Sequence, residues 1–441
     1  MSGYPYQDSD LAVCGDCFTD EAIRGFIKEN ATDDECSFCG ATSEEPIAAP
    51  IREVAEFIEE GIRREYGNPD ECGMSWDSED QRYYPGSTYD TQDLVGDLID
   101  LPYDHDGKLF YAICYNFHND VWCDIDQYRL SDHEQLQYSW DHFCQVIKHE
   151  RRFFFTSHFK YKNDDEIFSP GRVLEIIFAY ANTIGLIRKF PCGTQLYRVR
   201  KLESASRTAL DLGPPPPNKA WQQNRMSPAG ISMLYASEGA ETALRETVDQ
   251  PGLYTIAEFA TARDATIIDF SQLPLIPTLF EPIHDTMEYD PRKLLIFLHR
   301  LREEFSKPIE RDGNQAHIEY IPTQVVTEYL RGMRTQDDLN IEGIRYASAR
   351  HEGGASLVLF CNPHNLILPA DQQNQFYDLY QDRWIRLIGH EDRDISVGDI
   401  ERWHTERPTP PYRDPTDDIF RDPEDDAAEL ICADRIYWAD K

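Results

Sequence analysis

Four cysteines in the first forty residues constrain the fold of this 441-residue chain more than any other feature. Cys14, Cys17, Cys36 and Cys39 are spaced C-x2-C-x18-C-x2-C. In such spacing each C-x2-C pair grips one side of a tetrahedral ion, so the pattern predicts a four-thiolate zinc knuckle. Gly15 and Gly40 follow two of the ligands and supply the backbone freedom that tight knuckles need. Four thiolates leave no open coordination position, so the expected zinc is structural rather than catalytic. The other seven cysteines, Cys72, Cys114, Cys123, Cys144, Cys192, Cys361 and Cys432, follow no pairing pattern and read as reduced thiols.

Beyond the knuckle, Ile51, Val54, Ala55, Ile58 and Ile62 recur at helical spacing, and residues 92–101, 132–149 and 172–187 carry further helical patterns. The texture changes after Pro191. QLYRVR at 195–200 alternates like a strand, as do 231–236, 254–259 and 265–270. Ser237 reads as the cap of a helix with Glu238 and Glu241 in its first turn. A helix is expected over 291–305 and a buried strand over 357–361. The expected architecture is α+β. It comprises a zinc knuckle at 1–48, a helical domain at 49–188, a mixed domain at 189–370, and a C-terminal helix with an acidic Pro/Asp-rich tail at 371–441.

No apolar run approaches the roughly 18 residues that span a bilayer, and the first residues lack a basic stretch followed by an apolar one. A soluble cytoplasmic protein is therefore expected. Eighty Asp and Glu against 43 Lys and Arg give a formal charge of −37. Non-specific nucleic-acid binding works by neutralising phosphates, so this balance argues against it. Only 11 of the basic residues are Lys. That composition fits a protein of a salt-rich cytoplasm, where self-repulsion is screened, or simply an acidic soluble one.

No G-x-G-x-x-G, Walker A, H-E-x-x-H or G-x-S-x-G motif occurs. What does occur is a polar series: Arg198, Arg200, Arg225, Tyr235, Glu246 and Ser348. Taken singly each has a bland reading, Tyr235 as core, Glu246 as a solvent-facing helix residue and Arg225 as surface loop. The segment NRMSPAGISMLYASEGAETALRETV, with YRVR upstream and GIRYASAR downstream, resembles the RES-domain family. That pattern runs from an arginine to a tyrosine ten residues later and a glutamate eleven beyond, and Arg225, Tyr235 and Glu246 keep both intervals. Ser348 matches the serine of a G-x-R-Y-x-S motif. Met226 replaces a common aromatic, and Pro214 to Pro217 lengthen the preceding loop.

The resemblance implies an NAD-degrading toxin or defence effector with an ADP-ribosyltransferase-like fold. Departing nicotinamide is a neutral base, so one carboxylate that stabilises oxocarbenium charge suffices, a role for Glu246. Arginine forks match the pyrophosphate, which assigns Arg225 with Arg198 or Arg200. Tyr235 suits stacking on the nicotinamide, and Ser348 bonding to the carboxamide or ribose. Glycohydrolase, phosphorylase and ADP-ribosyl transfer to a macromolecule all stay open, as does an inactive interaction protein. NAD+ is the implied substrate; an inhibitor, antitoxin protein or trigger is the implied partner, and a homo-oligomer stays open.

The N-terminal region resembles HEPN modules, whose ribonuclease members carry R-x4-6-H. Arg152 with His158 fits, but so do Arg292 with His299 and Arg345 with His351, among others. Composition alone yields about three such pairs, so ribonuclease activity is the weaker expectation.

Overall fold

The computed structural model describes residues 11–84, 86–104, 106–125, 132–155, 167–201, 207–282, 291–306, 316–369 and 382–406. The chain is α+β. Near its start, β1 (Ala12–Cys14) pairs antiparallel with β2 (Ala48–Pro50), and a 3-10 turn at Gly15–Cys17 leads to α1 (Glu21–Glu29). Asp20 starts α1 by accepting the amides of Ala22 and Ile23, a cap whose loss costs about 1 kcal/mol. Helices α2 (Ile51–Ile62), α3 (Thr91–Leu98) and α4 (Lys108–Tyr115) follow. The knuckle has no core of its own. Val13, Phe18, Ile23 and Ile27 share one apolar cluster with Ile51, Val54, Ile58, Leu109 and Trp122.

Helices α5 (Asp132–Gln145) and α6 (Pro170–Thr183) belong elsewhere. Their Trp140, Phe143, Leu174 and Ile177 pack with Ile268, Ile344 and Val358, strand residues of the following sheet, and with Phe270 just past a strand end. The expected boundary near residue 188 therefore does not coincide with the division of the cores.

Among the described residues the sheet has nine strands. In chain order they are β3 (Ile187–Phe190), β4 (Gln195–Arg200), β5 (Leu234–Ser237), β6 (Gly252–Thr261), β7 (Ala265–Asp269), β8 (Gly343–Ala347), β9 (Ala355–Leu359), β10 (Leu366–Ile367) and β11 (Ile385–Ile395). Their spatial order is β10-β11-β6-β4-β5-β9-β8-β7-β3. Between them run α7 (Ala240–Thr247), α8 (Pro291–Ser306) and α9 (Ile321–Gly332), and α10 (Val397–Thr405) follows the last strand. On one face, α5, α6, α8 and α9 cover the β7–β8–β9 region, and α7 and α10 cover β4 and β6. The other face holds Leu196, Leu234, Phe259, Leu357 and Leu359 against Leu212 and Trp384. The centre of the sheet is thin: β4 and β5 meet through one pair, Tyr197 opposite Ser237.

One expectation changes. Ser237 is the last residue of β5, its Oγ 3.0 Å from Ser356 Oγ, and Gly239 is the N-cap of α7. A β-strand residue whose hydroxyl already has a neighbour is not available to cap. The C-terminal helix expected within 371–441 is α10, and a strand precedes it: β11 pairs with β6 along the whole of the latter. Its polar run, IRLIGHEDRDI, hides the strand because most of its side chains face solvent. The acidic tail beyond 406 lies outside the described residues. Within them, no helix is long and apolar enough to cross a membrane.

Candidate active site

Three of the sequence-nominated residues converge where α7, β5 and the end of β8 meet. Tyr235 leaves β5 on the α-helical face, opposite Val358 of β9. Its hydroxyl donates to Ser227 Oγ at 3.1 Å and accepts the Met226 amide at 3.2 Å. Burial pushes its phenol up to about 12, so it remains a neutral donor at neutral pH. Glu246 lies half-buried in the last turn of α7, as its position two residues past Leu244 predicts. Its Oε1 accepts the Ser348 hydroxyl at 2.5 Å.

Ser348 is 8% exposed, and its hydroxyl is fully committed. Oγ accepts the amides of Arg350 at 3.2 Å and His351 at 3.1 Å, which leaves its one proton for Glu246. Ser348 thus orients the carboxylate, and a direct contact with a ligand is not its evident role.

Arg225 comes from the loop before β5. Its Nη1 donates to the carbonyls of Phe305 at 2.5 Å and Glu304 at 3.5 Å, the C-terminal end of α8, where a cation also complements the helix dipole. Thr323 Oγ1 fixes the Arg225 carbonyl at 2.6 Å. Between Arg225 and Glu246 sits a residue that sequence reasoning passed over, Tyr346. Its phenol is driven strongly upward by burial and then by the charge of Glu246, with Arg225 opposing. Ser356 hydrogen bonds to it. The available signal was alternation, since Tyr346 stands two residues before Ser348 in the same motif and leaves β8 opposite Ser356.

Arg198 and Arg200 are not brought to this cluster. Arg198 pairs with Ala257, and Val199 with Ile256. Ala257 belongs to the core on the far face and Ile256 to the core under α7, so both arginines leave β4 on the face opposite Glu246. Arg198 Nη1 donates to the Tyr235 carbonyl at 3.4 Å, and Arg200 Nη1 to the Asp211 carbonyl at 2.8 Å. Burial lowers both guanidinium pKa values, that of Arg198 to about 9 with Arg200 adding to the effect. Tyr197 occupies the α7 face instead.

A second constellation lies in the N-terminal unit. The sulfurs of Cys14, Cys17, Cys36 and Cys39 all fall within 4.8 Å of one another. Cys14 Sγ is 3.8 Å from Cys17 Sγ and 3.5 Å from Cys39 Sγ, and Cys17 Sγ is 3.8 Å from Cys36 Sγ. Tetrahedral zinc with bonds of about 2.3 Å needs sulfurs about 3.8 Å apart, so the set fits such an ion. The Cys14 amide donates to Cys36 Sγ at 3.4 Å, the kind of outer bond that steadies a thiolate. Of the R-x4-6-H pairs, His158 lies outside the described residues. Arg152 bonds the main-chain carbonyls of Ile147 and Lys148.

No curated protein matches the chain. Among solved structures it is similar to one titled "Crystal structure of the M.tuberculosis MbcT-MbcA toxin-antitoxin complex". That likeness has 10% identity over 53% of this chain and 98% of that one, with a TM-score of 0.25. Residues 29–161 match the model of HEPN/RES N-terminal domain 1, and residues 195–379 that of the RES domain. The second match contains every residue of the polar cluster, and the chain accordingly belongs to the RES-domain family, with a HEPN/RES N-terminal domain 1 ahead of its RES domain.

Proposed function

We propose that this protein consumes NAD+ by cleaving its nicotinamide–ribose bond. The observation that carries this reading is the Glu246 carboxylate, aimed by a buried serine hydroxyl whose other valences are filled, within a RES domain. Glycosyl transfer from a pyridinium needs no acid for the leaving group. It needs a fixed negative charge facing the ribose as oxocarbenium character grows. Glu246 supplies that charge, and Ser348 holds it without demanding a proton. Tyr235 and Tyr346, neutral and buried beside it, wall the ring side of the site and exclude water.

Arg225 serves the diphosphate. Among the described residues only its Nη1 is engaged, which leaves Nε and Nη2 for a phosphate. Arg198 supports the site from behind Tyr235. The cysteine cluster holds one structural zinc, bound by thiolates of residues 14, 17, 36 and 39. The fold is of the ADP-ribosyltransferase type, with the catalytic unit over 189–370. Such an enzyme drains NAD in the cytoplasm of the cell that makes it. A toxin or defence role with an inhibitory partner, an antitoxin in the usual arrangement, follows from that.

The test is incubation of purified protein with NAD+ while released nicotinamide and the ribosyl product are followed. ADP-ribose, its 1″-phosphate or a modified macromolecule would separate hydrolysis, phosphorolysis and transfer. Glu246→Gln should lower turnover by about 10²-fold or more at nearly unchanged KM, because the lost field acts mainly in the transition state. Wild-type turnover in folded Glu246→Gln would refute the assignment.

A further inference from the structure

Among the described residues, the core formed by the knuckle and α2–α4 meets the RES domain at the C-terminal end of α2. Leu279 and Phe280 of the RES domain are buried within the N-terminal core rather than their own. Gly61 makes room for them: a Cβ there would lie 2.6 Å from the Phe280 ring. Glycine inside a helix is a destabilising choice, and this ring accounts for it. Three residues on, Arg64 Nη1 donates to the carbonyls of Leu279 at 3.1 Å and Glu281 at 2.5 Å. Glu65 then pairs with Arg292, in the first turn of α8, at 2.5 Å, with both side chains largely buried.

The other end of α8 is the candidate active site. Its final carbonyls, those of Glu304 and Phe305, hold Arg225. Ser306 Oγ donates to the carbonyl of Ala347, the residue before Ser348, at 3.1 Å. Between the two ends, Leu294, Phe297, Leu298, Leu301 and Phe305 lock the helix into the core of the sheet. A buried 16-residue helix is about 24 Å long and does not bend to absorb a displacement at one end.

We propose that the end of α2 is a positioning device for the RES site. Gly61, Arg64 and Glu65 seat the Leu279–Phe280 turn and the start of α8, and α8 sets the placement of Arg225 and of the strand end that carries Ser348. This rests on the reading of Glu246 and Ser348 as the reacting site. The N-terminal unit is then a required part of the enzyme, and whatever loosens its grip lowers turnover without touching a substrate-binding group.

The experiment uses the full chain with Phe280→Ala, Arg64→Ala and Arg64→Lys, read by amide hydrogen exchange and by NAD+ kinetics. Phe280→Ala and Arg64→Ala should speed exchange at 300–306 and 343–348, and should lower kcat by about 3- to 30-fold with a smaller change in KM. Arg64→Lys, which still reaches a carbonyl, should recover part of both. Phe26→Ala removes a ring stacked on Phe57 in the same core. It should lower the melting temperature yet leave exchange at 300–306 unchanged. Faster exchange at 278–282 with none at 300–306 in the two alanine variants would overturn the proposal, as would an equal effect of Phe26→Ala. Should the wild type fail to cleave NAD+, the functional reading falls and the exchange measurements alone decide the linkage.

Discussion

At the scale of single residues, Ser348 makes the sharpest prediction. Ser348→Ala removes the bond that aims Glu246 and also leaves the amides of Arg350 and His351 without their acceptor. Turnover should fall by about tenfold, and stability by about 1–3 kcal/mol, measured by steady-state kinetics and denaturant unfolding. A binding serine would instead show mainly a raised KM. Arg225, Tyr235 and Glu246 were legible because their two intervals match the pattern, and the loop, the strand and the short helix that carry them follow one another in the chain. The strand period also made Arg198 and Arg200 companions of each other, but a period of two does not say which face is which. Only the pairing of β4 with β6 decides that, a long-range fact absent from local sequence. Tyr346 was hidden differently: a tyrosine in an apolar strand looks like core, and its neighbour Glu246 comes from a distant position in the chain.

At the scale of elements, the cysteine knuckle was readable in full from spacing, whereas its surroundings were not. The pattern of cysteines, glycines and helix periodicity suggests a small module hung on a metal, yet the structure merges it with α2 and α4. Zinc content by metal analysis should be one per chain and should be lost with Cys14→Ser. Removing zinc with a strong chelator should then lower the melting of the whole unit that includes α2. An unchanged melting temperature would exclude a structural ion. Strand β11 shows the opposite case. Its five consecutive exposed residues, His390 to Asp394, give no strand signal, because that signal is hydrophobic alternation and this strand lacks it. Backbone pairing with β6 supplies the stability that the side chains do not.

At the scale of the whole molecule, the charge of −37 sets the response to salt. Carboxylates repelling across the surface are screened as ionic strength rises, so melting temperature should increase from low salt to molar potassium chloride. A flat or falling trend in calorimetry would show that local ion pairs, such as Arg345 with Glu238 and Asp269, outweigh the net repulsion. The sharing of the sheet's core by α5 and α6 bears on how the RES domain could be excised or transplanted. A fragment cut at the family boundary, beginning near 195, would leave behind Trp140, Phe143, Leu174 and Ile177 and strip the apolar face they cover. It should aggregate on expression, whereas a fragment from 132 to 406 should stay in the soluble fraction. The heritable unit of sequence and the cooperative unit of folding have different borders here, and a recombination event that respected only the first would deliver an insoluble product.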